Sequence, residues 1–493
     1  MFEKITPEQA GISSFHLVEF FRSLARSGLA MHSVLMMKGE QLLAEYYWAP
    51  FHRDFCHRMY SQTKSYVSIA IGLLEEDGKL SLDDPIVSYF PDKIDKDLPP
   101  QLMRQTIREM LMMETCHISP PWFTAGDPDR THLYLNNSNA LRPSRTIWQY
   151  DSAGSQVLSA LVERLSGMSL FDFLSERIFR HLGTFKTATM LKTPNGDTWG
   201  DSALVCTTRD MMSFGRFVMN GGIWQGKRLM NAAYLKQATS ALVDNDEDGW
   251  LAVLTHGYGY QIWHCENDGF AFVGMGGQLT LCFPALDFIF CCTADLQGNP
   301  KGYDAILRPL LDLVVYRMKE TPLPRDAAAE EALAAQTSDL KLLTATGKAY
   351  VPFADKLNGK TYLCATNRTG ITEFTFTFEG DGGVLRYVNA QGEKELPFGL
   401  CRNEFCKFPQ FGYSNDTGGV RTTDGFLYDA AVSAAWREEQ KLALRVQIID
   451  RYFGNLRAIF AFRDDEAVVT MFKCAEDFLG EYEGTFNAKQ KRE

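Results

Sequence analysis

The run Ser61–Leu80, "SQTKSYVSIAIGLLEEDGKL", decides how this chain is read. Its first four residues spell Ser-x-x-Lys. From Tyr66 to Leu74 it is apolar on nearly every side, and it stops at Glu75-Glu76-Asp77-Gly78. A helix apolar all round is a buried one, so the pattern predicts a buried helix with a hydroxyl and an amine at its mouth. Residues three apart lie on one helix face about one turn apart, which lets Ser61 and Lys64 meet. A hydroxyl needs a base within hydrogen-bond reach to act as a nucleophile. A lysine held in an apolar site can give up its proton and become that base. The helix N-terminus also favours negative charge developing near Ser61. The same residues fit a capping serine followed by a snorkelling lysine. Ser338–Lys341 repeats the pattern, so the surroundings must decide.

Working outward, "PEQAGISSFHLVEFFRSLARSG" has helical spacing through Leu17, Phe20, Phe21 and Leu24. "SVLMMKGEQLLAEYYW" reads as two strands joined by a tight turn at Lys38-Gly39-Glu40. The stretch from about residue 103 to 230 is mainly helical, and its clearest helix is "GSQVLSALVERLSG", with Val157, Leu158, Leu161, Val162 and Leu165 on one face. Between Gly257 and Ala294 the period changes to short β-prone runs separated by Asn, Asp, Gly and Pro, as in an antiparallel meander. A last helix lies in "YDAILRPLLDLVVYRMK". A helix and hairpin at one end, with a meander and helix at the other, predict an α+β domain: one antiparallel sheet flanked by helices, over residues 1–321. Residues 322–349, rich in Ala and acids, read as a linker. Residues 350–493 read as a separate, C-terminal antiparallel β domain, with Phe374, Phe376 and Phe378 alternating on one face.

Composition narrows the partners. The 50 basic and 61 acidic residues leave a formal charge of −11, which argues against a nucleic-acid partner or attraction to anionic membranes. No run reaches the roughly 18 apolar residues of a spanning helix, and the N-terminus lacks a signal-peptide pattern. The 11 cysteines form no Cys-x-x-Cys, and Cys282, Cys291 and Cys292 sit in apolar runs. Free thiols and a cytoplasmic location are expected. The nine histidines show no metal-ligand spacing, so neither a metal nor another cofactor is expected. The sequence sets no oligomeric state.

Two further features keep company with Ser61. Tyr150–Ser152, a Tyr-x-Ser, stands just before the best amphipathic helix, where the tyrosine could relay a proton. Tyr134–Asn136, in the same domain, is a second triplet of this kind and fits a loop tyrosine. The run "VGMGGQLTLCFP" places Met275-Gly276-Gly277 ahead of a strand, permitting close backbone approach and exposing amides. The amides of Ser61 and Gln278 could supply paired donors for an oxyanion. A glycine bulge in an edge strand fits the same letters. No Gly-x-Ser-x-Gly occurs anywhere, which removes the nucleophile elbow of α/β-hydrolases.

Ser-x-x-Lys, then Tyr-x-Ser before a helix, then a Gly-rich third box resembles the serine β-lactamase and penicillin-binding protein superfamily. It is most similar to the branch of class C β-lactamases, esterases and D-aminopeptidases. "MYSQTKSYVSIAIGLLEEDGKLSLDDPIVSYFPD" and "DSALVCTTRDMMSFGRFVMNGGIWQGKRLM" resemble longer stretches of that family, over roughly residues 5–320. The resemblance implies a serine hydrolase with a β-lactamase/transpeptidase-like fold and a small-molecule ester or amide substrate. Ser61 would be the acylated nucleophile, Lys64 its base or base partner, and Tyr150 the proton relay. Ser152 would be the polar residue of the second box, Met275, Gly276 and Gly277 the third box, and Ser61 and Gln278 the oxyanion donors. Two positions depart from the β-lactamase pattern: Ser152 where Asn is usual, and Met275 where a cation is usual. A thioether does not replace an ammonium as anchor for a substrate carboxylate, which favours an uncharged acyl group. The alternatives are a β-lactamase or D-stereospecific peptidase, and a non-catalytic binding protein of the same fold.

Overall fold

The amphipathic stretch near the N-terminus forms α1 (Ser14–Arg26), whose cap Ser13 accepts the Phe15 amide and whose Leu17, Phe20, Phe21 and Leu24 are buried. The computed structural model describes residues 2–116, 126–137, 142–245, 253–413, 425–476 and 478–492. The chain divides into two compact units, one running to Lys341 and the other from Leu342 onward.

In the first unit the expected hairpin is present as β2 (Ala30–Lys38) and β3 (Gln41–Tyr47), with the short β1 (Glu3–Lys4) parallel to β3. Its turn uses Gly39 at φ 60°, a left-handed value cheap only for glycine. The meander is β4 (Trp263–Cys265), β5 (Gly269–Gly274), β6 (Gln278–Phe283) and β7 (Phe288–Asp295). The strand order is β1-β3-β2-β7-β6-β5-β4, so β7 pairs with β2 and the two ends of the unit meet in mid-sheet. Every pairing except β1–β3 is antiparallel.

The two-residue period sorts the sheet's side chains into two cores. Leu35, Met37, Phe270, Phe272, Cys282, Ile289 and Cys291 join one. That core also contains α2 (Thr63–Glu76), α3 (Ser152–Ser166) and α4 (Thr208–Met219). Val34, Met36, Ala271, Leu281, Phe288 and Phe290 join the other, with α1 and α5 (Asp304–Leu313). Residues 63–74 of α2 are all buried, as the all-round apolar pattern predicts. Tyr66 stacks on Phe214 at 3.8 Å. A Cβ on Gly72 would lie 2.4 Å from Met230 Cε and 2.6 Å from the Tyr234 ring, so this helical glycine serves packing.

The stretch expected as a linker differs. It carries α6 (Ala327–Thr337), whose Ala329 and Leu333 are buried, with Leu333 in the α1-side core. Alanine-rich segments look solvent-exposed by composition, but small side chains four apart let one helix lie close against another. Residues 322–341 therefore belong to the first unit.

The second unit is built from β8 (Thr361–Cys364), β9 (Glu373–Glu379), β10 (Gly382–Asn389), β11 (Gly392–Leu400), β12 (Glu404–Lys407), β13 (Asp429–Glu438), β14 (Lys441–Ile449), β15 (Phe453–Arg463), β16 (Glu466–Cys474) and β17 (Gly484–Gln490). Their order is β11-β10-β9-β8-β17-β16-β15-β14-β13-β12, and β11 also pairs in parallel with β13, closing a barrel. Closure removes the long free edges that an open sheet would leave. Phe374 and Phe376 point inward onto Phe460, with ring centroids 5.2 and 4.8 Å away. Among the described residues no helix is long and apolar enough to cross a membrane.

Candidate active site

Ser61 lies in a single 3-10 turn, Tyr60–Gln62, that runs directly into α2. The strand His57–Arg58 leads into this turn by pairing with Leu204–Cys206, and the Met59 amide donates to the Leu204 carbonyl at 2.7 Å. Tyr60 has φ 48°, a left-handed conformation that costs a bulky residue about 1–3 kcal/mol and persists only when its surroundings impose it. Arg58 supplies part of that imposition. Its guanidinium is buried 4.3 Å over the Tyr60 ring and 4.3 Å over the Trp199 ring. It also donates to the Ser202 carbonyl (2.9 Å) and hydroxyl (2.8 Å).

The predicted pair forms. Lys64 is only 1% exposed, and its Nζ donates to Ser61 Oγ at 2.9 Å. The same ammonium donates to the Asp201 carbonyl at 2.9 Å, lies 3.9 Å from Asp201 Oδ2, and stands 5.0 Å from the centre of the Tyr150 ring. Burial pushes the Asp201 carboxyl up to about 6, while Lys64, Arg130 and Arg58 pull the other way. Ser61, Tyr150, Ser152 and Met275 keep part of their surface accessible, whereas Lys64 and Asp201 are buried. A hydroxyl reachable from outside thus sits on an amine kept out of water.

Tyr150 is held by stacking on Trp263, 5.9 Å between centroids at 24°. Asp151 behind it caps α3 through the Gly154 amide at 2.9 Å. Ser152 is the first residue of α3. Tyr134, the competing tyrosine, is fully buried and donates to Asp151 Oδ2 at 3.3 Å, so it braces the cap.

Met275-Gly276-Gly277 forms the turn between β5 and β6, with Gly276 and Gly277 at φ 79° and 91°. The Tyr303 hydroxyl clamps this turn: it donates to the Gly274 carbonyl (3.0 Å) and accepts the Gly277 amide (3.4 Å). The Gln278 side chain donates to the carbonyls of Ala294 (2.7 Å) and Met275 (3.2 Å). The close approach to the Ser61 turn is made one residue earlier than the sequence suggests. A Cβ on Gly274 would lie 2.0 Å from the Met59 carbonyl oxygen. Gly274→Ala is therefore expected to push the Ser61 turn aside, costing about 1–3 kcal/mol of stability together with most of the activity. Thermal melts and steady-state kinetics on the one variant check both.

The second Ser-x-x-Lys does not assemble. Exposed Ser338 donates to the Ala335 carbonyl at 2.9 Å, and Lys341 pairs with Asp339 at 2.7 Å. Ser338→Ala is expected to leave hydrolysis of any substrate unchanged; a kinetic comparison with the parent protein decides. Sequence reasoning missed Asp201, Arg58 and Gly274. Asp201 heads a stretch already noted for its resemblance, but nothing in its spacing points to Lys64.

Comparison with known proteins shows the family and the fold. The β-lactamase family's sequence model matches residues 19–335. The 6-aminohexanoate-dimer hydrolase of Paenarthrobacter ureafaciens is 24% identical over 275 residues, covering 52% of this chain and 70% of that protein. The octameric penicillin-binding protein homologue from Pyrococcus abyssi superposes with a TM-score of 0.51 at 15% identity, over 96% of this chain and 99% of that one. The last likeness spans both units and concerns the fold.

Proposed function

This chain belongs to the β-lactamase family and is a serine hydrolase within it; we propose that it acts through an acyl-enzyme on Ser61 and cleaves a small ester or amide. The observation that carries this reading is the 2.9 Å contact between Lys64 Nζ and Ser61 Oγ inside a buried site. In the proposed cycle Ser61 Oγ attacks the substrate carbonyl as its proton passes into the Lys64–Tyr150 pair. The tetrahedral oxyanion is met by the Ser61 amide and, as the resemblance implies, the amide of Gln278 at the start of β6. Collapse breaks the bond to the leaving group, which takes the proton relayed through Tyr150. Water then attacks the acyl-serine by the same route in reverse and frees the acid.

Met275 supports the choice of substrate, because the position that would hold a cation for a penicillin or peptide carboxylate carries a thioether. The relative named for hydrolysing a 6-aminohexanoate dimer supports an amide among the accepted bonds. Ser152 flanks the acyl group in this reading. The 11 cysteines, none in a disulfide, support a reducing compartment such as the cytoplasm. Parallel assays with p-nitrophenyl esters and a chromogenic cephalosporin test the substrate class. Faster turnover of the esters is expected; a preference for the cephalosporin would move the protein to the β-lactamases.

A further inference from the structure

We propose that Asp201 is a positioning residue of this site: its carbonyl and its carboxylate together hold the Lys64 side chain against Ser61, and its carboxylate is the counter-charge that governs how tightly the site keeps a proton. This rests on the reading of Ser61 as nucleophile and adds a residue to it.

The loop that presents Asp201 is fixed from three directions. From α3, Gln156 donates to the Thr198 carbonyl (3.0 Å) and accepts the Gly200 amide (2.9 Å). Gly200 packs so tightly on α3 that a Cβ there would stand 2.0 Å from Ser159 Cβ. From the strand before Ser61, Arg58 grips both the carbonyl and the hydroxyl of Ser202. Trp199 is sandwiched between Arg58 at 4.3 Å and Arg130 at 4.8 Å. A loop with so few freedoms places Asp201 with the accuracy of a core residue. The result is two separate contacts on a single ammonium, the carbonyl at 2.9 Å and the carboxylate at 3.9 Å. The carbonyl contact fixes where Nζ sits, and the carboxylate fixes the charge it faces.

The charged and titratable groups around Asp201 come from four elements. Lys64 arrives from α2, Arg58 from the strand His57–Arg58, Arg130 from the helix Arg130–Leu135, and the Tyr150 ring faces Lys64 from the turn before α3. In this surplus of cations Asp201 is, among the described residues, the acid paired with Lys64. A negative charge beside a base strengthens its hold on a proton. Removing that charge therefore lowers the pH at which the Ser61 proton acceptor becomes free, whether the acceptor is Lys64 or Tyr150. The sign is the same for both. The carboxyl is pushed up to about 6 by burial, so the counter-charge is in place above that pH and fades below it.

The test is the rate of Ser61 labelling by a fluorophosphonate from about pH 5 to about pH 9, for the parent, Asp201→Asn, Asp201→Ser and Asp201→Glu. Two neutral variants are used so that one folded protein suffices, as judged by its thermal melt. The neutral variants are expected to show the acid limb moved down by about one pH unit or more, and Asp201→Glu to return it toward the parent. A neutral variant that is merely slower, with its limb where the parent has it, overturns the proposal. A parent protein that takes no label on Ser61 at any pH overturns the nucleophile reading, and this inference with it.

Discussion

Ser61→Ala is expected to lower ester turnover by about 10⁴-fold or more while leaving the melting temperature close to that of the parent. The size follows from the role. Removing a covalent nucleophile leaves only binding and oxyanion stabilisation, and the members of such a catalytic set act as a unit. The small effect on stability follows from the position. Ser61 is partly accessible and its hydroxyl contact is with Lys64, which keeps its contacts to Asp201 in the variant. Steady-state kinetics with a p-nitrophenyl ester, beside a thermal melt, separates the two quantities. A loss of activity accompanied by a large loss of stability would mean that Ser61 matters as a helix-entry residue rather than as a nucleophile.

Lys64→Met is the second large expectation, and here activity and stability both fall. Methionine nearly matches the length of the lysine stem, so the change removes the charge and leaves little cavity. Turnover is expected to drop by about 10³-fold or more, because Ser61 loses its proton acceptor. Stability is expected to fall by roughly 3–5 kcal/mol near pH 8, the cost of stranding one member of a buried ion pair. That cost depends on pH with a definite sign. The folded Asp201 carboxyl already titrates at about 6, above its ordinary value, and losing Lys64 raises it further. Stability from such a group is complete below the unfolded-state carboxylate range and is lost as pH rises through the folded value. The gap between Lys64→Met and the parent should therefore narrow on acidification toward pH 5 and widen toward pH 8. Melts at the two pH values read this directly. A gap that does not change with pH would place the buried charge elsewhere.

The parts of the site that could be read from the sequence are those made by near neighbours in the chain. Ser61 and Lys64 meet because they are three residues apart where a 3-10 turn runs directly into α2, and the burial of α2 was written in its unbroken apolar run. Tyr150 was legible because it stands just before a long amphipathic helix, α3. The sheet was equally legible, since strands buried on both faces read as short, nearly continuous apolar runs between turn residues. Asp201 meets Lys64 across 137 positions, from a loop with no periodicity around it. Arg58 is hidden for a similar reason: a fully buried guanidinium between two rings looks, in sequence, like any surface arginine. The third box shows a subtler loss. Gly274, Gly276 and Gly277 are adjacent letters with different duties. Gly276 and Gly277 shape a turn with positive φ; Gly274 alone leaves room for the Met59 carbonyl. Telling them apart requires knowing that β5, the neighbour of β6, is the strand that lies along the nucleophile turn. In α6, alanine composition concealed a packed helix, because burial there depends on how closely α1 approaches and not on how apolar the segment is.

The central claim is that Ser61 is the nucleophile. Treatment of the full-length protein with a fluorophosphonate, followed by proteolysis and mass spectrometry, tests it most directly. One adduct per chain is expected, on the peptide containing Ser61, absent from Ser61→Ala and strongly slowed in Lys64→Met. An adduct on any other residue, or an unmodified Ser61 beside undiminished ester hydrolysis, would contradict the account.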